Sequence, residues 1–298
     1  MDALRPCFMS SNTHLEQSNG TMDTVIYGIG GGRMSDPLMS HHYARIVDLA
    51  KAQSGIDRPQ IAILPTAHFN GTHSKIGRGY IDFTIETFRN LGCDAEQILI
   101  GEVPPGQSET RDGDLREIIR RSQAIFVLGG DTRYLLTVVR GKGLVPIFES
   151  AFHAGKIMAG TSAGFIWLTA HCMSDAESFH SDAWRYVMLQ GLGIIPVAGN
   201  AHDNGPIPKG LIPQARRREQ FEGYFARLGD LPGIAVDEFA AIEVRNYKCQ
   251  PRSADPSLWA YVLANGPKGI ARRKMAPGTA LDLRDSAALR DFALASQD

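Results

Sequence analysis

From Asp23 onward, short β-branched runs alternate with segments of helical spacing, and nothing else in the chain constrains its fold so tightly. "TVIYGI" reads as a strand ending in glycines, and "LMSHHYARIVDLAKA" puts Leu, Tyr, Ile, Val and Leu on one helical face. "QIAILPT" is a strand cut off by Pro65, and "YIDFTIETFRNLG" is an amphipathic helix stopped at Gly92. "AEQILIG", "AIFVLGG" and "KIMAG" continue the strands, with "LREIIRRS", "TRYLLTVVRG" and "VPIFESAFHAG" as the helices between them. Strands joined by helices of this length predict an α/β three-layer sandwich with a mostly parallel sheet and helices on both faces.

After Ser162 the pattern loosens. "QARRREQFEGYFARLG" predicts a helix, "GIAVDE" and "AAIEVRN" predict strands, and "AYVLANGPKGIARR" predicts a C-terminal hairpin around Asn265-Gly266. The segment "NYKCQPRSADPS" reads as an irregular surface loop. No internal repeat or linker-like tract divides the chain, which predicts one domain over residues 22–298. Residues 1–21 are polar, lack an apolar core of signal-peptide length, and read as a loosely ordered extension.

Composition narrows the function classes. The net charge of −1 offers no electrostatic attraction to nucleic acid or an anionic membrane. No apolar run reaches the 18 or so residues that span a bilayer. Cys7, Cys93, Cys172 and Cys249 are widely spaced without a C-x-x-C pair, which argues against a disulfide framework or a zinc knuckle and predicts a cytoplasmic protein.

Two glycine-rich stretches invite chemistry. "GIGGG" at Gly28–Gly32 follows a strand, but Arg33 occupies the place of the third glycine of a dinucleotide fingerprint. The next strand ends in Pro65-Thr66 instead of the acidic residue that would hold a ribose. A tight turn bordering an active site is the better reading, and no organic cofactor is expected. The pairs His41-His42 and His68/His73 come without H-E-x-x-H or an acidic cluster, so they read as surface or loop histidines and no metal is expected.

"GTSAG", Gly160 to Gly164, matches a nucleophile elbow, the sharp strand-to-helix turn that pushes a serine hydroxyl above the sheet. A side chain at either flanking glycine would collide with the turn. "LGGDT" brings a second strand to the same edge, where Asp131 or Thr132 can cap a helix and backbone N–H groups can face an oxyanion. Ser162 then needs a base, and only His171, His180 and His202 follow it. His171 is too close in the chain to return over its own serine. Forty residues leave little room for the α/β-hydrolase order, in which the histidine comes last. The order Ser162, His202, acid stays open, with Asp237 and Glu238 at the end of "GIAVDE" as the acids. Adjacent strand residues point to opposite faces, so only one of them can aim at the histidine.

These pieces, over about Thr24 to Val244, resemble the family of peptidase E (aspartyl dipeptidase) and cyanophycinase, serine peptidases on a class I glutamine amidotransferase-like (flavodoxin-like) fold. The resemblance rests on "YGIGGG", "ILPTA", "FVLGGDT", "GTSAG", the "AHD…RRREQF" segment and "GIAVDE" in that order. It implies Ser162 as nucleophile, His202 as general base and Glu238 as the acid that orients it. It implies an oxyanion hole of the Gly130 and Ala163 N–H groups, and Arg218 as the holder of an acidic substrate group. Asp131, which stands where peptidase E has asparagine, is a second candidate for touching substrate. Ala201 and Asp203 flank His202 where the family has Pro-His-aromatic, and the Gln/Arg set of cyanophycinase after the histidine is missing, which argues against that polymer as substrate.

The implied activity is hydrolysis of a small peptide or amide, Asp-X dipeptides included, with a homodimer left open. Its rivals are an amidohydrolase or esterase using the same triad, and a non-catalytic binding protein on the same fold.

Overall fold

The computed structural model describes residues 22–69, 74–104 and 106–297, with the side chains of 74–78 also outside the description. The N-terminal extension and His73 therefore lie outside the described residues. The first strand, β1 (Val25–Ile29), runs through its glycines into α1 (Pro37–Ser54). Local chemistry sets both ends of that helix. The Asp36 carboxylate accepts the Leu38 N–H, Pro37 fills the first turn, and Gly55 stops the helix at φ 69°.

The alternation then proceeds through β2 (Gln60–Leu64), α2 (Ser74–Asn90), β3 (Asp94–Gln97), α3 (Asp112–Arg121) and β4 (Ala124–Val127). Helices α4 (Thr132–Gly141) and α5 (Val145–His153) follow, then β5 (Ile157–Thr161) and the single turn α6 (Ala163–Ile166). The second half comprises β6 (Thr169–Ser174), β7 (Val187–Gln190), β8 (Ile195–Asn200), α7 (Arg217–Phe225) and β9 (Gly233–Val236). It ends with β10 (Ala240–Arg245), β11 (Lys248–Ser253), β12 (Ala260–Gly266), β13 (Gly269–Lys274), β14 (Leu281–Asp282) and α8 (Ser286–Leu294).

The strands form two sheets. The larger has the order β14-β11-β10-β1-β5-β4-β2-β3, with β1, β5, β4, β2 and β3 parallel and the other three joined antiparallel. The parallel half is the sheet that the alternation predicts. One face, with Tyr27, Ile63 and Phe126, packs on Tyr43, Ile46 and Phe88 of α1 and α2. The opposite face, with Ile26, Ile125 and Met158, packs on Leu135, Phe148 and Phe165 of α4 to α6 and on residues of the second sheet.

That second, six-stranded sheet runs β13-β12-β9-β8-β6-β7. Its outer face, with Met173, Ala198 and Leu263, packs on Tyr186 and on Phe221 and Phe225 of α7. The expected C-terminal hairpin is present as β12–β13, closing at Gly266–Gly269, two residues later than read from Asn265-Gly266.

"NYKCQPRSADPS" is corrected. Lys248–Ser253 is a strand, entered through a turn in which Asn246 and Tyr247 both have positive φ, the geometry that suits a tight hairpin. Pro251 is tolerated because β14 pairs only with Lys248 and Cys249, leaving an open edge where the proline lies. The irregular part after the strand is confined to 254–259. No helix among the described residues is long and apolar enough to cross a membrane.

Candidate active site

The site forms where β1, β5 and β9 reach the carboxyl edges of their sheets. Ser162 sits between β5 and α6 at φ 53° and ψ −117°, a strained conformation for a residue with a side chain. The elbow depends on its glycines. A Cβ at Gly160 would fall 2.1 Å from the Gly164 carbonyl oxygen, and one at Gly164 would fall 2.0 Å from that of Val127.

The glycines after β1 organise the other arms. Ile29 O accepts the Ser162 N–H at 2.9 Å, Gly30 O accepts that of His202 at 2.8 Å, and Gly31 O accepts that of Phe239 at 2.9 Å. Three successive carbonyls thus fix the serine, the histidine and the turn carrying Glu238. A Cβ at Gly31 would lie 2.1 Å from the His202 ring, so the imidazole's seat requires glycine there.

Ser162 Oγ lies 2.8 Å from His202 Nε2, and His202 Nδ1 lies 2.7 Å from Glu238 Oε1. The His202 hydrogen bond holds the Glu238 carboxyl below its ordinary range, against the opposing effect of burial. An ionised Glu238 can only accept, so Nδ1 carries the proton and Nε2 accepts from the serine hydroxyl. The adjacent acid turns away. Asp237 accepts the Trp259 N–H at 2.9 Å, and burial pushes its carboxyl above the ordinary range.

A cavity of about 390 Å³ holds Ser162, Gly129, Gly130 and His202, with His68, Tyr80 and Asp175 among its walls. Ala163 opens α6, in which the Phe165 and Ile166 N–H groups bond the Ser162 carbonyl at 2.9 and 3.0 Å and the Ala163 N–H precedes the first helical bond. The Asp175 carboxylate is held by Arg217 Nη1 at 3.3 Å. Arg217 is itself buried, bonding the Asn200 side chain and the Met173 carbonyl and lying 4.9 Å over the Tyr186 ring.

Two sequence assignments do not reach this cavity. Arg218 Nε lies 3.0 Å from Asp203 Oδ2, and its Nη2 lies 3.9 Å from Asp237 Oδ1. Its side chain lines a different cavity, beside Asp203 and Asn204. The Asp131 carboxylate is buried, capping α4 through the Tyr134 N–H at 2.9 Å and meeting His180 Nε2 at 3.0 Å.

The histidine reading is corrected at His42, which is fully buried. Its Nε2–H donates to the Phe239 carbonyl at 3.0 Å, and its Nδ1 accepts the Tyr27 hydroxyl at 2.8 Å. Burial lowers its pKa to about 4 and keeps it neutral. His68 stacks on Tyr80 with ring centroids 4.8 Å apart, at the cavity wall. Among the described residues, no group of three His, Cys, Asp or Glu side chains is arranged to hold a metal ion.

Asp175, Arg217, His68 and Tyr80 escape sequence reasoning because no local motif carries them. The only available signal was the run of three arginines, whose partners are set by tertiary packing.

The family model described as peptidase family S51 matches residues 28–251, from Gly28 within β1 into β11. The chain belongs to peptidase family S51. This is a family of serine peptidases, and the protein is a serine peptidase. It is 26% identical over 221 residues to a Bacillus subtilis (strain 168) protein described as the uncharacterized peptidase YgaJ, covering 74% of this chain and 83% of that one. A crystal structure of a peptidase from an acI-B1 Actinobacterium superposes with a TM-score of 0.64 at 18% identity, covering 88% of this chain and 98% of the other. A Listeria monocytogenes EGD-e protein described as of peptidase E type superposes with a TM-score of 0.52 at 14% identity, covering 78% and 100%. At such identities the two structures speak for the α/β fold alone.

Proposed function

We propose that this S51 peptidase cleaves a small peptide or amide through a Ser162–His202–Glu238 triad and an acyl-enzyme. The unbroken line of contacts from Oγ to Nε2 and from Nδ1 to Oε1 carries the reading. As Oγ attacks the substrate carbonyl, His202 Nε2 takes its proton. Glu238 fixes the imidazole tautomer and balances the imidazolium. The N–H groups of Gly130 and Ala163 hold the tetrahedral oxyanion. The C–N bond then breaks as His202 returns the proton to the leaving amine, and water attacks the acyl-enzyme by the same route.

Asp175 supports a substrate with a cationic group near the scissile bond, such as a free α-ammonium, because its carboxylate is the one acidic side chain lining the Ser162 cavity among the described residues. Among those residues no arginine or lysine lines this cavity, so an Asp-X preference rests on the family resemblance. Free buried thiols at Cys93, Cys172 and Cys249 suit a reducing compartment and a cytoplasmic enzyme.

Turnover of a dipeptide library by wild type and Ser162→Ala tests the reading. The variant should fold normally and lose at least about 10³-fold in kcat. Retention of a tenth of the wild-type rate would refute Ser162 as nucleophile.

A further inference from the structure

A second cavity, of about 880 Å³, adjoins the first and shares Gly32, Tyr80 and His202 with it. It is lined by Glu238 and Phe239 but by neither Ser162 nor Gly130, and His202 borders both cavities. Its floor and walls are largely apolar, with Met34, Tyr80, Phe83 and Phe239. Against these stands, among the described residues, one arginine, Arg33, between β1 and α1.

Arg33 is exposed, and among the described residues no carboxylate lies within ion-pair distance of it. Two acidic side chains share the cavity, and both are engaged elsewhere. Asp36 caps α1 through the Leu38 N–H, and Glu238 bonds His202.

We infer that this cavity is the leaving-group subsite and that Arg33 recognises the carboxylate of the amino acid released there. The inference rests on the proposed acyl-transfer reading, which fixes the direction. The imidazole must hand its proton to the departing nitrogen, so the leaving group lies on the His202 side while the acyl portion stays with Ser162 and the oxyanion donors. An amino acid leaving group brings an apolar or aromatic side chain for Phe83 and Met34, and a carboxylate one residue beyond the scissile bond. A guanidinium presents a planar fork that pairs with both carboxylate oxygens. The subsite therefore discriminates between a leaving group that carries a free carboxylate and one whose carboxyl is amidated.

The direct test is calorimetric binding of L-phenylalanine and L-phenylalaninamide to wild type and to Arg33→Ala. Wild type should bind the free acid about 10- to 100-fold more tightly than the amide, the range expected when one charge-assisted pair is removed. Arg33→Ala should abolish that preference, and Arg33→Lys should restore part of it. Circular dichroism of Arg33→Ala should match that of wild type, which shows that the variant is folded, and fluorophosphonate should label Ser162 in wild type. Equal wild-type binding of acid and amide, or a preference that survives in Arg33→Ala, would overturn the assignment of Arg33. Binding does not require a working nucleophile. Failure of Ser162 to label in wild type would instead strike the acyl-transfer reading.

Discussion

His202 and Asp203 are neighbours in sequence, as are Glu238 and Asp237, and each pair divides between two environments. His202 and Glu238 face the cavity, 26% and 32% exposed, and form the polar line that ends on Ser162. Asp203 and Asp237 point the other way into a nearly dry ion cluster. There Asp203 accepts from Asn200, Arg218 and Arg272, while Arg272 stacks 4.0 Å over Tyr261. The two acids at the end of β9 respond oppositely, with the Glu238 carboxyl held low by its histidine and that of Asp237 pushed up by burial. One side of each segment thus keeps the solvent access that the proposed proton transfer needs. The other side holds the segment in place. Burial without full pairing is costly, so the rigid side depends on its arginines.

The widest separation between the two sides should appear in turnover. Glu238→Gln should lose about 10³–10⁴ in kcat with the fold intact by circular dichroism, because the histidine loses the partner that sets its tautomer. Asp237→Asn should change kcat by less than about tenfold. The reverse ranking would exchange the roles of the two acids.

Breaking the other side should cost stability first. Asp203→Ala leaves two guanidinium groups beside an empty site and should lose about 3–5 kcal/mol in urea unfolding. An unchanged midpoint would mean that the cluster does not hold the His202 segment.

The smallest effect, a degree or two in Tm, lies in the pH dependence, where the two acids should differ in sign. A lowered folded pKa means that Glu238 contributes stability above the ordinary 4.5, lost as pH falls through its folded value. A raised folded pKa means that the contribution of Asp237 is full below 3.8 and lost as pH rises through its folded value. Melting curves between pH 3.5 and 7 should therefore show Asp237→Asn gaining on wild type as pH rises, and Glu238→Gln losing. Parallel curves would show that the two carboxyls share one environment.

Much of this division was legible in the chain. The strand–helix alternation up to β5 carries the parallel sheet, and "GTSAG" marks Ser162 because its glycines have no alternative at such close approach. Asp237 and Glu238 diverge as alternation at "GIAVDE" predicts, although both lie just past the end of β9, and the family resemblance chooses between them. The second sheet was not legible as a unit, since β6, β8 and β9 find each other across long stretches of chain and periodicity carries no pairing. Lys248–Ser253 was hidden by Pro251, whose tolerance depends on the shortness of β14. Arg218 was misplaced because three consecutive arginines look alike in sequence, whereas their carboxylate partners at Asp203 and Asp175 arrive from distant segments. His42 looked like half of a surface pair until the fold closed Tyr27 and the Phe239 carbonyl around it.

The central claim is that Ser162 is activated by His202 and Glu238, and the rate of fluorophosphonate labelling, with the modified residue mapped by mass spectrometry, tests it most directly. The account predicts rapid modification of wild type at Ser162 alone, none in Ser162→Ala, and labelling slowed by at least about 100-fold in Glu238→Gln but not in Asp237→Asn. Labelling of another residue, or an equal rate in wild type and Glu238→Gln, would contradict it.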